Sequence, residues 1–145
     1  MRPQELFGAG RPHVIHALLL SFPVALFPAA LVTDIAYLRT AQIQWTNFSS
    51  WLIAGALVFG GLVLAWSAVS LLLGWRSALR LPRLIYTAVL AAMWVLGLIN
   101  AFKHSQDGWS SVGAFGLTLS ILCALLALIA GVLAHTGSAA REIAR

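Results

Sequence analysis

Charge is what this sequence has least of: Asp, Glu, Lys and Arg make up 9% of its 145 residues, where a soluble domain carries roughly a quarter. So few charges cannot wet a soluble surface, and a chain that is 61% hydrophobic must turn most of its exterior to something other than water. Lipid is the natural candidate. Cysteine is almost absent too. Cys123 stands alone inside an apolar run, which excludes an intrachain disulfide, a CxxC pair and a CxxCH haem attachment, and favours a core role over a reactive thiol. The chain lacks a Walker A loop, a GxSxG elbow and an HExxH pair, so no catalytic motif marks it as an enzyme. Redox activity would make it an electron-transfer subunit. The net charge of +5 does not indicate nucleic acid, because the basic residues sit at the ends of apolar runs rather than in a soluble patch.

Four such runs are present: Val14–Leu38, Trp51–Leu73, Leu84–Phe102 and Gly113–Ala134. Each is close to the ~20 residues a helix needs to cross roughly 30 Å of hydrocarbon. Their continuous apolarity favours helices over barrel strands, which alternate, and a helix satisfies its own backbone amides within lipid. The first run is too long for a signal-peptide core and has no small-x-small site after it, so it reads as a permanent span. Pro23 and Pro28 predict a kink there. Short connections, Arg39–Ser50, Gly74–Arg83 and Lys103–Val112, predict antiparallel neighbours. The expected fold is all-α: a single four-span domain over residues 1–145, an up-down-up-down transmembrane bundle.

Arg2, Arg11, Arg76, Arg80, Arg83, Arg141 and Arg145 fall on the side shared by both termini, against Arg39 and Lys103 on the other. That bias predicts cytoplasmic termini in a bacterial inner membrane. Trp45, Trp51 and Trp109 then lie at the outer interface and Trp75 at the inner one.

Polar residues within spans carry the functional information. His16 and Asp34 are 18 residues apart, about five helical turns, so they share one face at depths roughly 27 Å apart. Pro23, Phe27, Ala30 and Tyr37 fall on the same stripe, which should face inward. Asp34 either joins a polar network or reaches water from within a turn of the outer surface. Asn100 and His104, one turn apart and followed by Asp107, lie at its depth. Together these four make a candidate outer network that caps helix ends; their spacing is not a metal signature. At the inner side His16 and His135 match in depth, as bis-imidazole ligation of a b-type haem requires, with His13 as a substitute; ordinary interfacial roles are the alternative. Gly116, Ser120, Ala124, Ala127 and Gly131 form a small-residue face for close helix packing.

The opening Arg11-Pro-His-Val-Ile-His, with Phe22-Pro23, Asp34, and the later Asn100-Ala-Phe-Lys-His-Ser-Gln-Asp-Gly-Trp and Leu119-Ser120, resembles the bacterial domain-of-unknown-function family 2231. Departures are Ser21 in place of a further histidine, Val14 and Ala17 in place of prolines, and no acidic residue in the second span near Ala65-Trp66-Ser67. The resemblance implies a four-helix membrane domain, and related domains beside Rieske or cytochrome c modules imply redox work by analogy. The expectation is a small membrane subunit of a redox or respiratory complex, acting as anchor or haem b electron carrier. Its partners would be the bilayer and other subunits of a membrane complex, or a second copy of itself. The alternatives are a small-solute or proton-conducting protein built on the Asp34 stripe, and a purely structural accessory subunit.

Overall fold

In the computed structural model, which describes residues 14–106 and 112–143, each apolar run is a helix. These are α1 (Val14–Thr40), α2 (Ile43–Leu73), α3 (Arg80–His104) and α4 (Ala114–Ile143). All four are long and apolar enough to cross a membrane. Each helix packs on its two neighbours in a ring, α1 on α2, α2 on α3, α3 on α4 and α4 back on α1. The result is an all-α transmembrane bundle with alternating direction.

The buried positions explain why the helices lie nearly side by side. On α1 they are Leu20, Pro23, Phe27, Ala30, Asp34 and Tyr37; on α3 they are Leu90, Met93, Gly97, Asn100 and His104. Steps of three and four residues make a seam with a 3.5-residue period, the pattern of left-handed packing at shallow crossing angles. α2 repeats it through Thr46, Ser49, Ile53, Ala56, Gly60, Val63 and Ser67. Many of these residues are small, which lets backbones approach where lipid supplies no hydrophobic drive between helices. Gly97 shows how closely: a Cβ there would lie 2.8 Å from Phe27 Cζ and 3.1 Å from Leu57 Cδ2. Outward-facing residues such as Val32, Leu62, Val69 and Leu125 are large, apolar and exposed, as a lipid-facing surface requires.

The connection between α1 and α2 is shorter than the sequence suggests. Residues 43–50 are helical, leaving only Ala41 and Gln42 between the two helices. Ile43–Ser50 contains no proline or glycine, and its Thr46 and Ser49 continue the inward stripe of α2, so the helix extends beyond its most apolar part. α1 stops because Ala41 adopts φ 53° and turns its amide back onto the Tyr37 carbonyl at 2.8 Å, a left-handed cap that diverts the chain. α3 begins at Arg80, with Pro82 in its first turn where a missing N–H costs nothing. α4 runs nine residues beyond Ala134, the end of its apolar run, to Ile143.

Two ends of the bundle can be told apart. The Thr40 end carries the α1–α2 joint and the α3 C-terminus; the Val14 end carries the α2–α3 connection.

Candidate functional site

The seam is apolar through its middle and polar near the Thr40 end. Asp34 lies six residues before the end of α1, and Ser120 six residues after the start of α4 at Ala114, so the antiparallel helices bring the two side chains to one level. α3 supplies Asn100 and His104, one turn apart at its last turn. All four side chains are buried.

The contacts form a connected quartet. His104 Nε2 and Asp34 Oδ1 are 2.9 Å apart, with both side chains fully shielded. Ser120 Oγ donates to Asp34 Oδ2 at 2.5 Å. Asn100 Nδ2 donates to Ser120 Oγ at 2.9 Å. His104 Nδ1 donates back to the Asn100 carbonyl at 3.0 Å. That last contact reaches back one turn along its own helix and fixes the plane of the imidazole. The quartet therefore ties α1, α3 and α4 together. α2 is tied in one turn away: Thr33 Oγ1 and Ser49 Oγ are 2.6 Å apart, and Ser49 Oγ donates to the Ala30 carbonyl at 3.2 Å.

One atom breaks the pattern. Asn100 Oδ1 is buried and has no hydrogen-bond partner among the described residues. A buried acceptor left empty costs about 1–3 kcal/mol, so this position is a place where the quartet has unused capacity.

Of the residues singled out in the sequence, Asp34, Asn100 and His104 meet in this quartet; Asp107 and His13 lie outside the described residues. In the sequence Ser120 stands as a small packing residue and as part of the Leu119-Ser120 pair of the family resemblance, not as a member of the outer network. Its depth, matched to Asp34 by counting from the helix ends, is the signal that marks it. The inner imidazoles sit differently. His16 is half-buried against the aromatic rings of Trp66 and Tyr86, with ring centroids 6.1 and 5.9 Å away, and its Nε2 is 3.4 Å from the Tyr86 hydroxyl. His135 is exposed, and its Nδ1 donates to the Gly131 carbonyl of its own helix at 2.7 Å. No group of three or more His, Cys, Asp or Glu side chains suited to a metal ion occurs among the described residues.

A family model described as "Predicted membrane protein (DUF2231)" matches residues 12–141 of the chain. An undecaprenyl-diphosphatase of Cellvibrio japonicus (strain Ueda107) is 36% identical over 62 residues, which are 43% of this chain. The match spans 22% of that protein's length. No solved structure matches the chain.

Proposed function

Given that this chain belongs to the DUF2231 family of predicted membrane proteins, we propose that it is a small proton-binding membrane module. The quartet takes up and releases protons from the aqueous phase at the Thr40 end alone. The observation that carries this reading is the fully shielded Asp34–His104 contact at 2.9 Å in a seam whose middle is apolar. Ionisable side chains within membrane helices are expensive and are kept for ion or proton traffic more often than for packing. Histidine is the side chain whose ordinary charge change falls near neutral pH.

The depth of the site separates binding from conduction. Asp34 is six residues, about 9 Å of helix, from the end of α1. From Asp34 to Leu20 the seam runs about 21 Å through Ala30, Phe27 and Pro23, faced by Gly97, Met93 and Leu90 and by Cys123, Ala127 and Ala130. In that stretch the Ser49 hydroxyl donates to the Ala30 carbonyl at 3.2 Å, and the Trp94 indole spends its N–H on the Leu57 carbonyl at 3.1 Å. A proton wire needs a continuous chain of donors and acceptors, and from Phe27 to Leu20 the seam is lined by apolar side chains such as Met93, Leu90 and Val63. The arginine bias supports cytoplasmic termini in a bacterial cell, an orientation in which the quartet would lie in the outer half of the inner membrane.

Infrared difference spectra of the purified protein in lipid nanodiscs test the reading. The expected result is a carboxylic-acid band that rises and falls with pH in wild type and is missing from Asp34→Asn. Proteoliposomes carrying an imposed potential should show no proton leak. A pH-independent spectrum would remove proton binding; a leak abolished by Asp34→Asn would replace one-sided binding with conduction.

A second reading is an anchor or haem b subunit of a redox complex. It draws on the imidazole and aromatic group of His16, Trp66 and Tyr86 near the Val14 end, with His135 as the other candidate ligand. A low-spin haem spectrum in protein from haem-replete cells, lost in His16→Ala and in His135→Ala, would favour it.

A further inference from the structure

The number of hydrogens in the quartet follows from which of its atoms are able to donate. The Asn100 backbone carbonyl only accepts, so His104 Nδ1 must carry a hydrogen to make its 3.0 Å contact. The other contact of the ring, Nε2 to Asp34 Oδ1 at 2.9 Å, then has room for one hydrogen. It sits on nitrogen beside a carboxylate or on oxygen beside a neutral ring, and the pair is neutral overall in both forms. With that hydrogen gone, two lone pairs would face each other.

The far side of the carboxyl group is wired in one direction. Asn100 Nδ2 donates to Ser120 Oγ, which donates to Asp34 Oδ2. The same three groups make an equally complete chain when run backwards: Oδ2–H donates to Ser120 Oγ, and the serine hydrogen goes to Asn100 Oδ1 once the amide turns over. Two hydrogen bonds exist in each direction. The reversed chain uses the acceptor that is unpaired among the described residues, and the amide nitrogen takes the unpaired position instead.

Resting on the reading that this site exchanges protons with the aqueous phase, we propose that Asp34 and His104 hold one proton in common and that the site takes a second at Asp34 Oδ2, with Asn100 Oδ1 as the acceptor that closes the reversed chain. The proton comes from water and forms one O–H bond. The quartet goes from neutral to a single positive charge, while Nε2–H continues to donate to Oδ1. Ser120 and Asn100 are positioning residues in this scheme, since neither gains nor loses a proton. Among the described residues, the other ionisable side chains on the turns that hold the site are Tyr37 and Arg39 on α1, Cys123 on α4, one turn from Ser120, and Lys103 on α3, whose Nζ is 2.7 Å from Gln106 Oε1. α2 from Ile43 to Ser67 and α4 from Ala114 to Leu122 carry none.

Nitrogen NMR of the His104 ring, read beside the infrared carboxyl band over a pH series, tests both parts. In wild type, Nδ1 should appear as N–H throughout, and acidification should add a carboxylic-acid band while Nε2 remains hydrogen-bonded. Ser120→Ala removes only a hydroxyl from a small-residue face. It should keep the His104 signal and lose the acid step, and Ser120→Thr, which retains the hydroxyl, should restore it. A bare Nδ1 at any pH at which the protein is folded would overturn the shared proton. An acid step unchanged in Ser120→Ala would overturn the second site. Silence of both probes across pH in wild type would instead bring down the underlying reading that protons exchange here at all.

Discussion

Asp34→Ala, His104→Ala and the double variant should show strong coupling. Asp34→Ala strips two buried groups of their partner at once, the ring nitrogen of His104 and the Ser120 hydroxyl. An unsatisfied buried group costs about 1–3 kcal/mol. Once the Asn100 amide turns over, the hydroxyl can donate to its oxygen, so of the two groups one orphan, the ring nitrogen, remains. Helix–helix hydrogen bonds in membranes average only ~0.6 kcal/mol, because the separated helices find other partners. Full shielding of both side chains places this pair toward the upper part of the range, and about 2 kcal/mol is expected for Asp34→Ala. His104→Ala leaves a carboxyl oxygen facing an apolar space and should cost about as much. The double variant removes both halves of one contact. It should cost little more than either single change, giving a coupling energy of about 2 kcal/mol, within the span seen for residues sharing one network. The assay is reversible unfolding in mixed detergent–lipid micelles, followed by circular dichroism. Costs that simply add would mean that the two side chains stabilise the bundle independently, and the quartet would lose its standing as one unit.

Gly97→Ala should destabilise the bundle by about 1–3 kcal/mol in the same assay, because the new methyl meets the Phe27 ring 2.8 Å away and that ring is itself buried. Ala41→Gly should stabilise it by about 0.5–1 kcal/mol by relieving the positive φ at the α1–α2 joint; a loss of stability would show that flexibility of the joint outweighs its strain. Reporter fusions at each terminus should both read cytoplasmic, and a single external terminus would overturn the orientation drawn from the arginine bias.

Helix number and direction were legible because four apolar runs and short polar connections leave little else to form. The inward stripe of α1 was legible as well: Pro23, Phe27, Ala30, Asp34 and Tyr37 share a helical face in the sequence and are buried in the bundle. The start of α2 was not, since hydropathy reports where lipid is and not where a helix begins, and the run from Ile43 to Ser50 is only moderately apolar. Depth alone put Asn100 and His104 beside Asp34 as candidates, but a serine among glycines and alanines looks like packing until the helix opposite is known. Ser120 touches Asp34 across 86 residues of sequence, and no local pattern encodes a hydrogen bond of that separation.

The two-residue joint between α1 and α2 has a consequence for how the protein is made. Chains emerge N-terminus first, and helices so tightly joined enter the bilayer as a hairpin. Asp34 is then in the membrane before the helices that carry His104 and Ser120, 70 and 86 residues later, have joined it. A lone carboxylate in lipid is unfavourable, so the group inserts as the uncharged acid or stays near the headgroups six residues from the end of its helix. Arrival of the second hairpin supplies imidazole and hydroxyl together. Docking of the two hairpins is thus the step at which the carboxyl group acquires its partners, and the late-made half of the protein acts as chaperone to the half made first.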